Sequence, residues 1–176
     1  MAITRKRAGI VALAITILLA GCAATPKGAS ELTLADTKSP VQLLRNDAID
    51  RVEQRFIAEV LPTTDGSEAC LDAGENAGGL IRQWKSGAEI VLAKDADVSY
   101  VSERLVQGFT AKGWDDEAIS DHGPFWLTKL TSTRSVAAVE IGWEEHPDGS
   151  VIKITTTGPC VATGGPDSDE VVNLES

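Results

Sequence analysis

Residues 125 to 158 contain three segments in which apolar and polar side chains alternate, and no segment of helical periodicity separates them. The segments are residues 125 to 131, 135 to 143 and 151 to 158. A period of two indicates β-strands, because successive side chains of a strand point to opposite faces. Pro147-Asp148-Gly149 supplies a turn before the last segment. Three strands in succession without an intervening helix predict an antiparallel meander.

Two amphipathic helices and one further strand are predicted before the meander. The first helix is expected to begin at Ser39-Pro40 and to end at Leu61-Pro62, with apolar residues recurring every three or four positions. The strand is expected at residues 80 to 92. The second helix is expected to begin after the N-cap Asp97 and to end at Lys112-Gly113.

These elements predict an α+β fold in the order α-β-α-β-β-β. Two helices would pack on one face of a roughly four-stranded antiparallel sheet. A half-closed barrel is the alternative architecture.

The first 21 residues have the features of an export signal. Arg5, Lys6 and Arg7 precede an apolar run of 13 residues, from 8 to 20. A transmembrane helix is the rival interpretation, but a run of this length spans only about 20 Å of a hydrocarbon core that is roughly 30 Å thick. Export therefore fits the length better than a membrane span.

The end of this run, Leu19-Ala20-Gly21-Cys22, resembles the lipobox of bacterial lipoproteins. The resemblance implies cleavage before Cys22, a diacylglyceryl group on its thiol and palmitate among the acyl chains. It also implies a lipid anchor in the cell membrane, with the chain on the extracytoplasmic face. The Ala-, Gly- and Asp-rich composition is similar to that of small actinobacterial lipoproteins. An ordinary secretory signal with an incidental cysteine is the alternative.

Composition divides the chain into four parts. Residues 1–21 are the signal peptide, 22–38 a lipidated flexible tether, 39–163 a globular α+β domain, and 164–176 an acidic tail that is expected to be disordered. The net charge of the chain is −10, and removal of the basic signal peptide makes the remainder more acidic. Such a surface is repelled by phosphates, which disfavours nucleic acid as a partner.

Cys70 and Cys160 remain once Cys22 is assigned to the anchor. Exported proteins enter an oxidising compartment, so these two residues are predicted to form a disulfide. A bond to a partner chain, or a free thiol that acts as a nucleophile, is the alternative.

Residues that could carry chemistry form no recognisable constellation. Asp121-His122 could act as a base, and the acidic segment around His146 (Glu144, Glu145 and Asp148) could gather a cation, but neither has the spacing of a known site. We therefore predict no catalytic residue, no metal and no cofactor. The glycine-rich segment "DAGENAGG" lacks the lysine of a phosphate-binding loop and is expected to be a flexible connection.

The four tryptophans, Trp84, Trp114, Trp126 and Trp143, are expected in the core, since three of them lie at apolar strand positions. On an exposed sheet face they would instead stack on sugars. The sequence thus favours a non-catalytic binding or interaction module for an envelope protein or a small ligand. The alternative is an enzyme or glycan-binding module that acts on cell-envelope material.

Overall fold

The computed structural model describes residues 32–62, 64–70, 79–122, 125–145 and 149–176. Residues Glu31–Ser176 form one compact unit. Its elements, in chain order, are α1 (Leu34–Asp50), β1 (Ile57–Val60), β2 (Thr64–Ala69), β3 (Ile81–Leu92), α2 (Val98–Thr110), β4 (Asp115–His122), β5 (Phe125–Thr131), β6 (Ala138–Glu144), β7 (Val151–Thr157), β8 (Val161–Ala162) and α3 (Asp169–Glu175).

The predicted four-stranded sheet and the order α-β-α-β-β-β are wrong. The described residues form one antiparallel sheet of eight strands in the order β1-β3-β7-β6-β5-β4, with β2 and β8 also paired to β3. The strands that the prediction missed are short or polar. β2 has the sequence TDGSEA and β4 the sequence DDEAISDH, and neither carries an apolar alternation. Both lie in an edge row of the sheet, and none of their described side chains is buried, so no apolar alternation is needed.

Strand β3 organises the sheet because it is 12 residues long. Along one side it pairs with β1 and then β2, and along the other side with β7 and β8. A Cβ atom at position 87 would lie 2.7 Å from Thr64 Oγ1, so glycine lets β2 and β3 pair here without displacing the Thr64 side chain.

Helix α1 begins earlier than the sequence analysis predicts and ends earlier too. Thr33 is its N-cap and forms a capping box with Asp36, so Pro40 lies inside the helix and Ser39 is not the cap. After Asp50 the chain passes through a short 3-10 helix into β1 instead of continuing as an α-helix. Apolar spacing alone could not reveal this change, because the residues of β1 continue the stripe.

Helix α2 confirms the predicted cap and end. The Asp97 side chain accepts a hydrogen bond from the Tyr100 backbone N–H. Gly113 follows the helix with φ of +80°, a conformation that favours glycine. The rings of Phe109 and Trp114 then meet edge to face, with 5.3 Å between their centroids.

The core lies between one face of the sheet and helices α1 and α2. β3 contributes its even-numbered residues from Trp84 to Leu92, and β7 and β6 add Ile152, Ile154, Val139 and Ile141. The helices contribute Leu34, Val41, Leu44, Ala48, Val98, Val101, Leu105 and Phe109. We call this side of the sheet the helix face.

The acidic tail contains a helix, although its composition indicates disorder. Ser168 caps α3, and Val171 is 1% exposed. Glu170 Oε1 accepts hydrogen bonds from the backbone N–H groups of Leu34 (2.8 Å) and Ala35 (3.3 Å). The tail and the start of α1 therefore hold each other in place, and the start of α1 falls within the segment that was expected to be a flexible tether.

The predicted disulfide is confirmed: Cys70 and Cys160 are bonded, with their Cα atoms 6.1 Å apart. It links the end of β2 to the loop between β7 and β8. The signal peptide, the lipobox with Cys22, His146 and most of the "DAGENAGG" segment lie outside the described residues. No helix in the described part of the chain has the length and apolar composition needed to cross a membrane.

Candidate functional site

The sheet has a second face that none of the described helices covers. The central side chains of this open face are Lys85, Glu89, Leu127, Lys129, Glu140, Lys153, Thr155 and Thr157. Along each strand, these residues alternate with the buried residues that form the core. Gly87 and Gly142 also lie on the open face and leave gaps between the longer side chains.

One concavity of the open face adjoins the disulfide and has a volume of about 590 Å³. We call it the charged depression. Five strands supply its polar lining, and the disulfide lies beside it: Glu68, Gln83, Lys85, Lys129, Glu140 and Thr157, with Cys70 and Cys160. The Gln83 amide donates to Glu68 Oε1 at 2.9 Å, and Lys85 Nζ lies 3.2 Å from Glu68 Oε2. Lys129 and Glu140 are direct cross-strand neighbours.

Two smaller concavities continue from the charged depression along β2. One of about 240 Å³ shares Glu68 and Lys85 with it. The other, of about 290 Å³, is lined by Leu61, Pro62, Thr64, Glu89 and Thr155 around the space above Gly87. The two smaller concavities share Thr64, and we call the three neighbouring concavities together the groove.

The charges of this groove contribute little to the stability of the fold. Lys85 and Glu68 are 45% and 42% exposed, and exposed pairs of this kind are typically worth about 0 to 1 kcal/mol. Exchange of one partner for a ligand group would therefore cost the fold little. The charged depression offers ammonium, carboxylate, amide and hydroxyl groups together, so it complements a ligand that carries both signs of charge.

Among the described residues, the most buried charged side chain is that of Arg45, which lies on the helix face and has a structural role. Arg45 Nη1 contacts Asp65 Oδ2 at 2.7 Å and Ser86 Oγ at 2.6 Å, and Arg45 is 7% exposed. Burial raises the pKa of the Asp65 carboxyl. Hydrogen bonds with Ser86 and Arg45, together with the Arg45 charge, lower the pKa by more than burial raises it, so the pKa of Asp65 is below its ordinary value. This cluster fastens α1 to β2 and β3.

The tryptophans do not line the groove. Trp84 is 1% exposed, and the other three are partly buried against the same core. Trp126 and Trp143 face each other across β5 and β6 on the helix face. A sugar-stacking platform on the open face therefore has no tryptophan to form it.

The other candidate groups of the sequence analysis do not assemble into a site within the described residues. Glu144 forms an ion pair with Lys153 at 2.7 Å. The side chains of Asp121 and His122 are outside the description, as are His146 and Asp148. Among the residues that the structure describes, no three His, Cys, Asp or Glu side chains gather as metal ligands.

Sequence reasoning did not find Lys85, Lys129 and Glu140 as site residues. Each of them lies at a polar position of a predicted strand. These positions come together on one face of the sheet once the strand register is known. The register itself could not be obtained from one sequence.

Comparisons with models of known protein families, with curated proteins and with solved structures found no match. The groove is therefore interpreted from its own chemistry.

Proposed function

We propose that this chain is a lipid-anchored protein of the cell envelope whose folded unit binds a ligand in the charged depression without transforming it. The observation that carries the binding function is the depression itself, a concavity of about 590 Å³ that presents charges of both signs. The ligand would be a small zwitterionic molecule, such as a short peptide with free ends.

Export is supported by the disulfide between Cys70 and Cys160, since such bonds persist in oxidising compartments. The anchor is supported by the resemblance of Leu19 to Cys22 to a lipobox. Acyl chains contribute about 0.8 kcal/mol for each buried CH₂ group, so two or three chains would hold the protein stably at the membrane surface.

The anchor is tested with Cys22→Ala in cells that are fed radiolabelled palmitate. We expect the wild-type chain to carry label and to sediment with membranes. The Cys22→Ala chain should carry no label and should remain unprocessed or leave the membrane. Ser30→Ala serves as a matched control in the same segment. Equal labelling of the wild type and Cys22→Ala would overturn the anchor.

Binding is tested with free dipeptides on the isotope-labelled unit Glu31–Ser176, which contains the complete described core. We expect the amide signals of Lys85, Lys129 and Glu140 to shift. The same dipeptides with acetylated and amidated ends should cause no shift, because they lack the end charges.

Two variants locate the binding site. Lys129→Gln with Glu140→Gln removes one ammonium and one carboxylate from the depression and should weaken binding about tenfold or more. Lys94→Gln with Glu103→Gln makes the same chemical change at exposed positions elsewhere and should leave the affinity unchanged. Shifts confined to the helix face, or equal binding by both double variants, would contradict the proposed site.

A further inference from the structure

The two outer edges of the sheet differ in how their polar groups are satisfied. One edge row consists of β1 and β2, and the other is β4 alone. An edge strand exposes backbone N–H and C=O groups along one side, so it can pair with another chain unless something covers or repels that chain.

The β2 edge is covered by groups of its own chain. Glu175 Oε1 of α3 accepts from the Ser67 backbone N–H at 2.8 Å, and Arg82 Nη2 donates to the Ser67 backbone oxygen at 2.7 Å. Both carboxylates of β2 are also ion-paired, Asp65 with Arg45 and Glu68 with Lys85. The β2 edge therefore has few free backbone groups or charges with which to bind a partner chain.

The β4 edge is uncovered by any element among the described residues. Residues 115 to 119 are all exposed, and β4 pairs only with β5. The carboxylates of Asp115, Asp116 and Glu117 have no ion pair in the described part of the chain. The Glu117 carbonyl accepts a bond from Thr128 of β5, which lies on the inner side of the edge.

The three carboxylates lie on both faces of this edge. Asp115 and Glu117 are opposite Thr131 and Lys129, on the open face, whereas Asp116 is opposite Leu130, on the helix face. A strand added beyond β4 would bring its side chains to about 5 Å from these positions. On either face of the sheet, side chains of the added strand would therefore lie next to a carboxylate of β4.

We propose that the β4 edge at Asp115–Ala118 accepts an extended, lysine- or arginine-rich segment of another protein by strand addition. Basic side chains in that segment would form cross-strand pairs with the three carboxylates. A second copy of this chain is a poor occupant, because it would bring the same carboxylates and a net charge of −10. The register shift between Ala118 and Ser120 limits the pairing to about four residues. The proposal depends neither on the lipid anchor nor on the charged depression.

The test uses the disulfide-bonded unit Glu31–Ser176 and three synthetic octapeptides with blocked ends. The first alternates lysine and threonine, the second alternates glutamate and threonine, and the third is the lysine peptide with proline at two central positions. We expect only the first peptide to bind and to slow amide hydrogen exchange at those residues of Asp115–Ala118 whose N–H groups point away from β5. Proline removes backbone donors, so equal binding by the third peptide would reveal charge attraction without strand pairing and would overturn the proposal.

Matched triple variants separate this edge from the general acidity of the protein. Asp115→Asn, Asp116→Asn and Glu117→Gln together should weaken binding of the lysine peptide about tenfold. Glu59→Gln, Asp95→Asn and Glu103→Gln remove the same charge at other exposed positions and should change the affinity less than twofold. All six positions are exposed, so both variants should fold. Equal losses in the two variants, protection at β2 instead of β4, or a dimer held through β4 would each overturn the proposal.

Discussion

At the residue scale, the cluster of Arg45, Asp65 and Ser86 makes the sharpest stability prediction. Arg45→Met would leave a partly buried carboxylate without its partner, so we expect the free energy of unfolding to fall by about 2 to 4 kcal/mol. Arg55→Met removes an exposed ion pair with Glu53 and should cost less than about 1 kcal/mol. Urea denaturation of both variants measures the difference, and equal losses would show that burial of Arg45 adds nothing.

The same cluster predicts how stability depends on pH. The pKa of Asp65 is lower in the folded protein than in the unfolded chain, so the ionised carboxylate stabilises the fold above the unfolded value of about 3.9. That contribution is lost as the pH falls below this value toward the folded pKa. We expect the stability gap between wild type and Asp65→Asn to shrink between pH 5 and pH 2, as measured by urea denaturation. A constant gap across that range would contradict the assignment.

An arginine in an amphipathic helix is normally exposed, but Arg45 of α1 is 7% exposed. Its partners Asp65 and Ser86 lie on two strands that pair with each other. Burial of an arginine depends on such partners, and one sequence does not show which strands will pair.

At the element scale, helix α3 offers a matched pair of neighbouring valines. Val171 is 1% exposed and Val172 is 55% exposed. Val171→Ala should lower the free energy of unfolding by about 1 to 3 kcal/mol, because it leaves a cavity beside the core. Val172→Ala should change it by less than about 0.5 kcal/mol. Thermal or chemical denaturation decides between a docked helix and a loose tail, since a loose tail would make the two variants alike.

Elements with a strong apolar period were predicted well, and elements without one were missed. Helix α2 and strands β3 and β7 bury one side of an alternating or helical pattern, so their sequences reveal them. Strands β2 and β4 lie at edges and α3 has a single buried residue, so local hydrophobicity carries almost no signal for them. The start of α1 was missed because Thr33 and Asp36 lie in a segment whose composition suggested a tether.

At the scale of the whole molecule, the disulfide joins two parts of the sheet that are 90 residues apart in the chain. It encloses β3, α2 and β4 to β7, so it restricts most of the unfolded chain. The polar sides of the same strands form the charged depression next to the sulfur atoms. Stability and the candidate site therefore depend on the same link between β2 and the end of β7.

Reduction of this bond should destabilise the unit Glu31–Ser176. On the chain-entropy model a loop of this length contributes roughly 4 to 5 kcal/mol, so the melting temperature should fall by about 10 °C or more. The shorter segment 39–163 is unsuitable for this test, because it lacks the buried residues Leu34, Thr37 and Val171. In the denatured, unreduced unit, thiol counting should find no free thiol, and Cys70→Ser should leave one reactive thiol at Cys160. Two free thiols, or the same melting temperature with and without reductant, would show that the fold does not depend on the bond.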